Sequence, residues 1–263
     1  MINRIYRTAG FGWALRAVGF LFLGLVLITN AFIRSRLTHV PKPARVKAFA
    51  EPLQEPAFMF LTSACFFFAM AVYQPGTFIA LNAAHQDVRP NIANYLLSML
   101  NASRYANMTQ LCCKPAKPKI SVFGRIAAGW LADRIGRFNC ITLTTLLSGL
   151  FVLAAWIPAT AAGSFIVFAV LVGFTNGAYV ALTSACVAQI SNIKQIGTRN
   201  GTNWFMYGIG ALIGTPISGA LITAGGGSYL YVKIFTGVAM MISGVLFIGS
   251  RYVQIGAKVF KWV

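Results

Sequence analysis

An all-α bundle of membrane-spanning helices is the fold class this sequence predicts, and three observations predict it. The 263 residues are 57% hydrophobic with a mean hydropathy of +0.70, and only 10% carry charge, against about 25% in a soluble domain. Six stretches are apolar over the roughly 20 residues that a helix needs to cross hydrocarbon. The 22 cations, set against four acids, fall unevenly among the connections. A soluble protein, a disordered chain and a disulfide scaffold are excluded.

The first span covers residues 11–33. A polar linker follows at 34–56, with Pro41, Pro43, Pro52 and Pro56 and five cations, which reads as a flexible connection. The second span is 57–81, where Tyr73 and Gln74 beside Pro75 and Gly76 mark a break. The remaining uninterrupted spans are 141–158, 162–190, 204–224 and 229–250.

A seventh span is interrupted. Residues 91–103 and 121–132 are each apolar but too short. Between them, residues 104–120 carry Arg104, Lys114, Lys117, Lys119, Pro115 and Pro118, a combination very costly in hydrocarbon. Removing these 17 residues joins the flanks into one spanning helix. The excised length is a whole number of codons, so 104–120 is expected to be a retained intron or gene-model error. The competing reading is a real loop between a short helix and a re-entrant one.

With the seventh span repaired, 13 of the 22 cations lie in alternate connections: after the first, third, fifth and seventh spans. Lys and Arg collect on the cytoplasmic side, so the C-terminus is expected there, in a tail at 251–263. Arg4 and Arg7 then violate the rule. The charge that would suggest nucleic acid in a soluble protein is an orientation record, and no nucleic-acid partner is expected.

Catalytic and metal chemistry find no support. His39 and His85 lack partner motifs, and the five cysteines (Cys65, Cys112, Cys113, Cys140, Cys186) are not spaced as metal ligands. No enzyme activity, cofactor or metal is expected.

The sharpest local signal runs from Gly129 through Asp133, Arg134 and Gly136 to Arg137. Gly129 permits close helix approach, Asp133 ends a helix and can pair with a base, Gly136 allows a tight turn, and the two arginines hold a cytoplasmic face. The pattern G-x-x-x-D-R-x-G-R resembles the signature of the major facilitator superfamily. The wider run SVFGRIAAGWLADRIGRFN, with LVGFTNGAYVALTSACVAQIS, GTRNG and GIGALIGTPISGAL, resembles that superfamily's fungal monocarboxylate-permease-like members. FGWALRAVGF is similar to their sixth helix. The resemblance covers nearly the whole chain except 104–120.

The resemblance implies that residues 1–33 hold the last helix of an N-terminal half, 34–56 the central linker, and 57–250 a C-terminal six-helix half. Five helices of a complete member are missing, so the chain is expected to be an N-terminally truncated fragment. The implied function is transport of small organic anions of the monocarboxylate kind by alternating access. The partners are a lipid bilayer, the anion and protons in symport, in a plasma membrane. Ser121 stands where an acid would support proton coupling. A non-transporting, structural or regulatory membrane fragment is the alternative.

Two roles fit Arg125: substrate carboxylate binding, as in the resembled transporters, or membership of the cytoplasmic charge network eight residues before Asp133. Asn176 and Tyr73 are weaker substrate candidates, with interhelical hydrogen bonding and a packing kink as their competing roles. Gly208, Gly210, Gly214, Pro216 and Gly219 make a small-residue stripe suited to close packing.

Overall fold

The computed structural model describes residues 2–32, 49, 51–86, 90–108, 135–177, 179–193 and 195–255. Within them the chain is helical and no strand occurs. The helices are α1 (Ile2–Phe32), α2 (Pro56–Val72), α3 (Gln74–His85), α4 (Pro90–Met108), α5 (Arg137–Phe151), α6 (Ala162–Gly177), α7 (Tyr179–Ile190), α8 (Ile196–Ala224) and α9 (Leu230–Ile255). A 3₁₀ turn, Glu51–Gln54, precedes α2, and a π-helical turn, Val152–Trp156, extends α5.

Among the described residues, six helical stretches are long and apolar enough to cross a membrane: Leu15–Phe32, Pro56–His85, Arg137–Trp156, Ala162–Ile190, Ile196–Ala224 and Leu230–Gln254. They coincide with the six uninterrupted spans read from hydropathy. The ends differ. α8 starts eight residues before Trp204, so polar Arg199, Asn200 and Asn203 are helical. α9 continues through Arg251 to Ile255, past the start assigned to the tail. Backbone hydrogen bonding carries a helix beyond its apolar core.

The chain divides into two units, Met1–Ala44 and Arg45–Val263. In the first, α1 carries the apolar stretch Leu15–Phe32, whose described side chains are unburied. Arg16 lies 5.3 Å from the Trp13 ring, a cation–π distance.

In the second unit, α2 is the central helix, with Phe58, Leu61, Ala64, Cys65 and Phe68 fully or almost fully buried. α9 runs antiparallel to it. The Ser243 hydroxyl donates to the Ala64 carbonyl (2.7 Å) and Ser250 to that of Ala57 (2.8 Å), so seven residues forward on α9 match seven back on α2. α8 runs parallel to α2 in constant register. Arg199 meets Glu55 at a separation of 144 residues. At that same offset a Cβ on Gly210 would strike the Phe66 carbonyl, and one on Gly214 the Met70 backbone. Nothing lies within 4 Å of Gly208 or Gly219. The stripe is thus a two-glycine contact one turn apart, where the lack of a Cβ lets two backbones meet.

α5 is antiparallel to α9, with Leu146 against Gly244 and Leu153 against Gly237. It is therefore parallel to α2 and begins at the same end of the bundle. α3 finishes at the opposite end. α4 runs antiparallel to α2 and α3: Leu97 lies by Gly76, and Arg104 by Val72.

Candidate polar and aromatic site

The site forms where the first long helix of the bundle breaks. Pro75 has no N–H and disrupts the ladder. α2 ends at Val72 and α3 restarts at Gln74, with Tyr73 at the junction (φ −85°, ψ −19°). The Gln74 amide donates to the Met70 carbonyl (2.8 Å), and the Thr77 hydroxyl to that of Tyr73 (3.0 Å). The Gln74 side chain thus supplies a bond that the broken turn lacks, while the Thr77 hydroxyl adds to the backbone bond that Tyr73 already accepts.

Arg104 of α4 donates through Nη2 to the Val72 carbonyl at 3.4 Å. Val72 is 16 residues beyond Pro56 in a 30-residue apolar stretch, so this guanidinium lies near the middle of that stretch. Next in the chain after Val72, Tyr73 holds its hydroxyl 3.5 Å from that of Tyr207, within electrostatic reach of Arg104.

Aromatic rings continue inward from Tyr207. Its ring centroid is 5.1 Å from that of Trp204 and 6.3 Å from that of Tyr179. Tyr179 stacks on Phe68 at 3.7 Å. Tyr179, Asn203 and Thr183 gather about the Cys65 thiol. The Tyr179 hydroxyl and both Asn203 amide atoms are buried with no hydrogen-bond partner among the described residues; the neighbouring thiol is a weak one. An unmet buried polar group costs about 1–3 kcal/mol. The arrangement therefore offers hydrogen-bonding capacity between aromatic walls.

At the end where α2 begins, Arg199 grips Glu55 through both terminal nitrogens, Nη1 donating to Oε2 at 2.8 Å and Nη2 to Oε1. The Ile190 carbonyl lies 3.5 Å from Nη1, and the Phe58 ring 5.7 Å from the guanidinium carbon. One arginine joins α2, α7 and α8.

The residues singled out from sequence fall into four groups. Tyr73 lies in the polar and aromatic group. Asn176 is engaged elsewhere: its Oδ1 accepts from the Ser148 hydroxyl (2.8 Å) between α5 and α6. Arg125, Gly129, Asp133 and Arg134 lie outside the described residues. Of the motif's remainder, Gly136 has φ +94° and ψ 145°, a conformation essentially reserved for glycine, and exposed Arg137 opens α5. Sequence reasoning passed over Tyr179, Thr183 and Tyr207, and gave Arg104 to the interruption. The legible signal was the i, i+4 pairing of Tyr179 with Thr183 and of Asn203 with Tyr207, which puts each pair on one helix face.

Comparison with known proteins gives a consistent picture. The family model of the Major Facilitator Superfamily matches residues 120–261. An MFS-type transporter of Gibberella moniliformis is 37% identical over 95% of this chain and 56% of its own length. The aspyridones efflux protein apdF of Emericella nidulans is 31% identical over 97% of this chain and 48% of its own. The riboflavin transporter MCH5 of Saccharomyces cerevisiae is 29% identical over 97% and 49%. The chain spans about half the length of the curated relatives it matches.

Proposed function

Because the chain belongs to the Major Facilitator Superfamily, we propose that it serves transport of small organic anions, monocarboxylates with an apolar or aromatic body, by alternating access. The observation that carries this reading is Arg104 near the middle of the Pro56–His85 apolar stretch, within electrostatic reach of the Tyr73–Tyr207 hydroxyl pair. An arginine at membrane depth is a functional site by default. A guanidinium grips a carboxylate in a two-pronged, charge-assisted bond, and the phenols add donors. Trp204, Tyr179 and Phe68 supply flat apolar walls for the rest of the solute. The efflux and riboflavin-transport names of relatives favour organic solutes of that build.

Residues 104–120 bear on which arginine acts. Val72 is 16 residues from Pro56, about 24 Å of helix at 1.5 Å per residue. A single helix from Arg104's level to the start of α5 would need about the same length. Residues 121–136 number sixteen, and the chain as written has twice that between Arg104 and Arg137. This length match supports the insertion reading. With the segment removed, Arg125 takes the helical place of Met108, one turn from Arg104's place on the same face. Either form of the sequence then carries an arginine at that helical position or one turn from it.

The loop-charge asymmetry supports a cytoplasmic C-terminus. Proton symport, a plasma-membrane location and a partial transporter completed by a further half are parts of the same proposal. The test is uptake of a labelled monocarboxylate by vesicles carrying the chain, with and without 104–120, alone and extended to the length of its relatives. Arg104→Lys in the first form and Arg125→Lys in the second should abolish uptake at unchanged abundance. Uptake that survives both substitutions overturns the anion reading. A short form that accumulates the anion unaided overturns the partial-transporter reading. Sequenced transcripts that retain 104–120 in most reads overturn the insertion.

A further inference from the structure

A polar cavity of about 320 Å³ opens at the end of the bundle where α3 finishes and α9 begins. Its lining includes Asn82, His85, Ser228, Tyr229 and Lys233. Asn82 is nine residues beyond Tyr73, about 13 Å along the helix, so this cavity is separate from the tyrosine site.

Lys233 is the unusual member. It lies on α9, one turn past Tyr229, and is only 5% exposed. The Asn82 amide, itself 1% exposed, faces two donors, which fixes its orientation. Its oxygen accepts from Lys233 Nζ at 3.2 Å and from Trp156 Nε1 at 3.1 Å. Trp156 is in turn held by stacking on Phe168 at 5.0 Å. A neutral amide satisfies one of three ammonium donors and leaves the charge uncompensated, a costly state for a buried group. The described carboxylates, Glu51 and Glu55, lie at the other end of the bundle, roughly 40 Å of helix away. The rest of the wall also suits an anion. The His85 imidazole packs edge-on to the Tyr229 ring at 5.7 Å, and the Ser228 hydroxyl lies at the rim, accepting from the Leu230 amide at 3.3 Å.

We infer that the Lys233–Asn82–His85 cavity binds an oxyanion, the carboxylate of a soluble organic acid or the phosphate of an anionic lipid headgroup. The two sources share one chemistry: a compact negative group that takes the free ammonium donors while Asn82 and Trp156 hold the lysine in place. Asp87, two residues past His85, lies outside the described residues. It is the internal alternative, and the test separates it.

The full chain, purified into phosphatidylcholine nanodiscs, is titrated with benzoate in one arm. In the other arm it is reconstituted with increasing phosphatidylglycerol. Thermal unfolding is followed in both, for the wild type, Lys233→Gln and Asp87→Asn. One probe should raise the wild-type melting temperature by several degrees, with apparent affinity at least tenfold weaker in Lys233→Gln and unweakened in Asp87→Asn. The responding arm names the source. If Lys233→Gln does not fold, Lys233→Arg should keep the shift and His85→Gln weaken it. Wild type and lysine variant responding alike in both arms overturns the site. So does Asp87→Asn losing the response, which identifies Asp87 as the resident counter-ion. Arg104→Lys should leave the shift intact, so failure of the transport reading is seen separately.

Discussion

Arg199 and Glu55 stand opposite one another on α8 and at the start of α2, and the guanidinium holds the carboxylate with both terminal nitrogens. The arginine side chain is 8% exposed and the glutamate's 50%. Hydropathy put Arg199 in a solvated loop as one cation among many, whereas it is a buried brace. Glu55→Gln leaves a buried guanidinium without its counter-charge. Breaking a fully buried pair costs about 3–5 kcal/mol; with one partner half in solvent the expected loss is about 1–3 kcal/mol. Thermal unfolding in detergent should show it, and the swap Glu55→Arg with Arg199→Glu should recover part. A variant as stable as the wild type would mean that the pair contributes nothing.

The parallel register of α8 on α2 depends on two glycines. Gly214→Val drives a branched side chain into the Met70 backbone, and Gly210→Val into the Phe66 carbonyl. Each should lower stability by about 1–3 kcal/mol or more. The same change at Gly219, with nothing within 4 Å, should be near neutral in unfolding. Equal losses at all three would refute the close-approach account.

Asn176 should behave as a helix joint. Asn176→Ala and Ser148→Ala should each cost stability, with a double-mutant coupling of about 0.6–1.7 kcal/mol, while transport per folded molecule is unchanged. A shift in substrate affinity at unaltered stability would return Asn176 to the substrate site.

Removing single hydroxyls and amides from the polar and aromatic group separates binding from packing. Tyr207→Phe keeps the ring contacts with Trp204 and Tyr179 and deletes the donor. Apparent affinity for the anion should fall about tenfold, the equivalent of 1.4 kcal/mol. Asn203→Leu relieves two unmet buried polar atoms, so it should raise the melting temperature while weakening transport. A melting temperature that drops instead would show that Asn203 is satisfied within the fold.

Gly136 ties the signature motif to the start of α5. Its φ of +94° is strained for any residue with a Cβ, so Gly136→Ala should cost about 1–3 kcal/mol. A melting curve identical to the wild type's would show that the turn relaxes freely.

Much of the fold was legible before any coordinate. In hydrocarbon every backbone polar group must bond internally, so a long apolar run has one outcome, and six spans follow from composition and length. The break at Tyr73–Gly76 was legible too, because proline removes a donor wherever it stands. The site was less so. Arg104 looks misplaced in a cationic, proline-bearing run, and only the contact with Val72 on a distant helix gives it a place.

The sequence by itself determined the spans, the kink and the loop-charge asymmetry, since each rests on one residue's own preference for lipid, water or backbone geometry. Tertiary structure decided which polar groups meet: Arg199 with Glu55, Arg104 with the Val72 carbonyl, Lys233 with Asn82. These meetings depend on the register between helices far apart in sequence. For α8 on α2 that register is set where Gly210 and Gly214 let two backbones touch, a property of paired surfaces that no single segment carries.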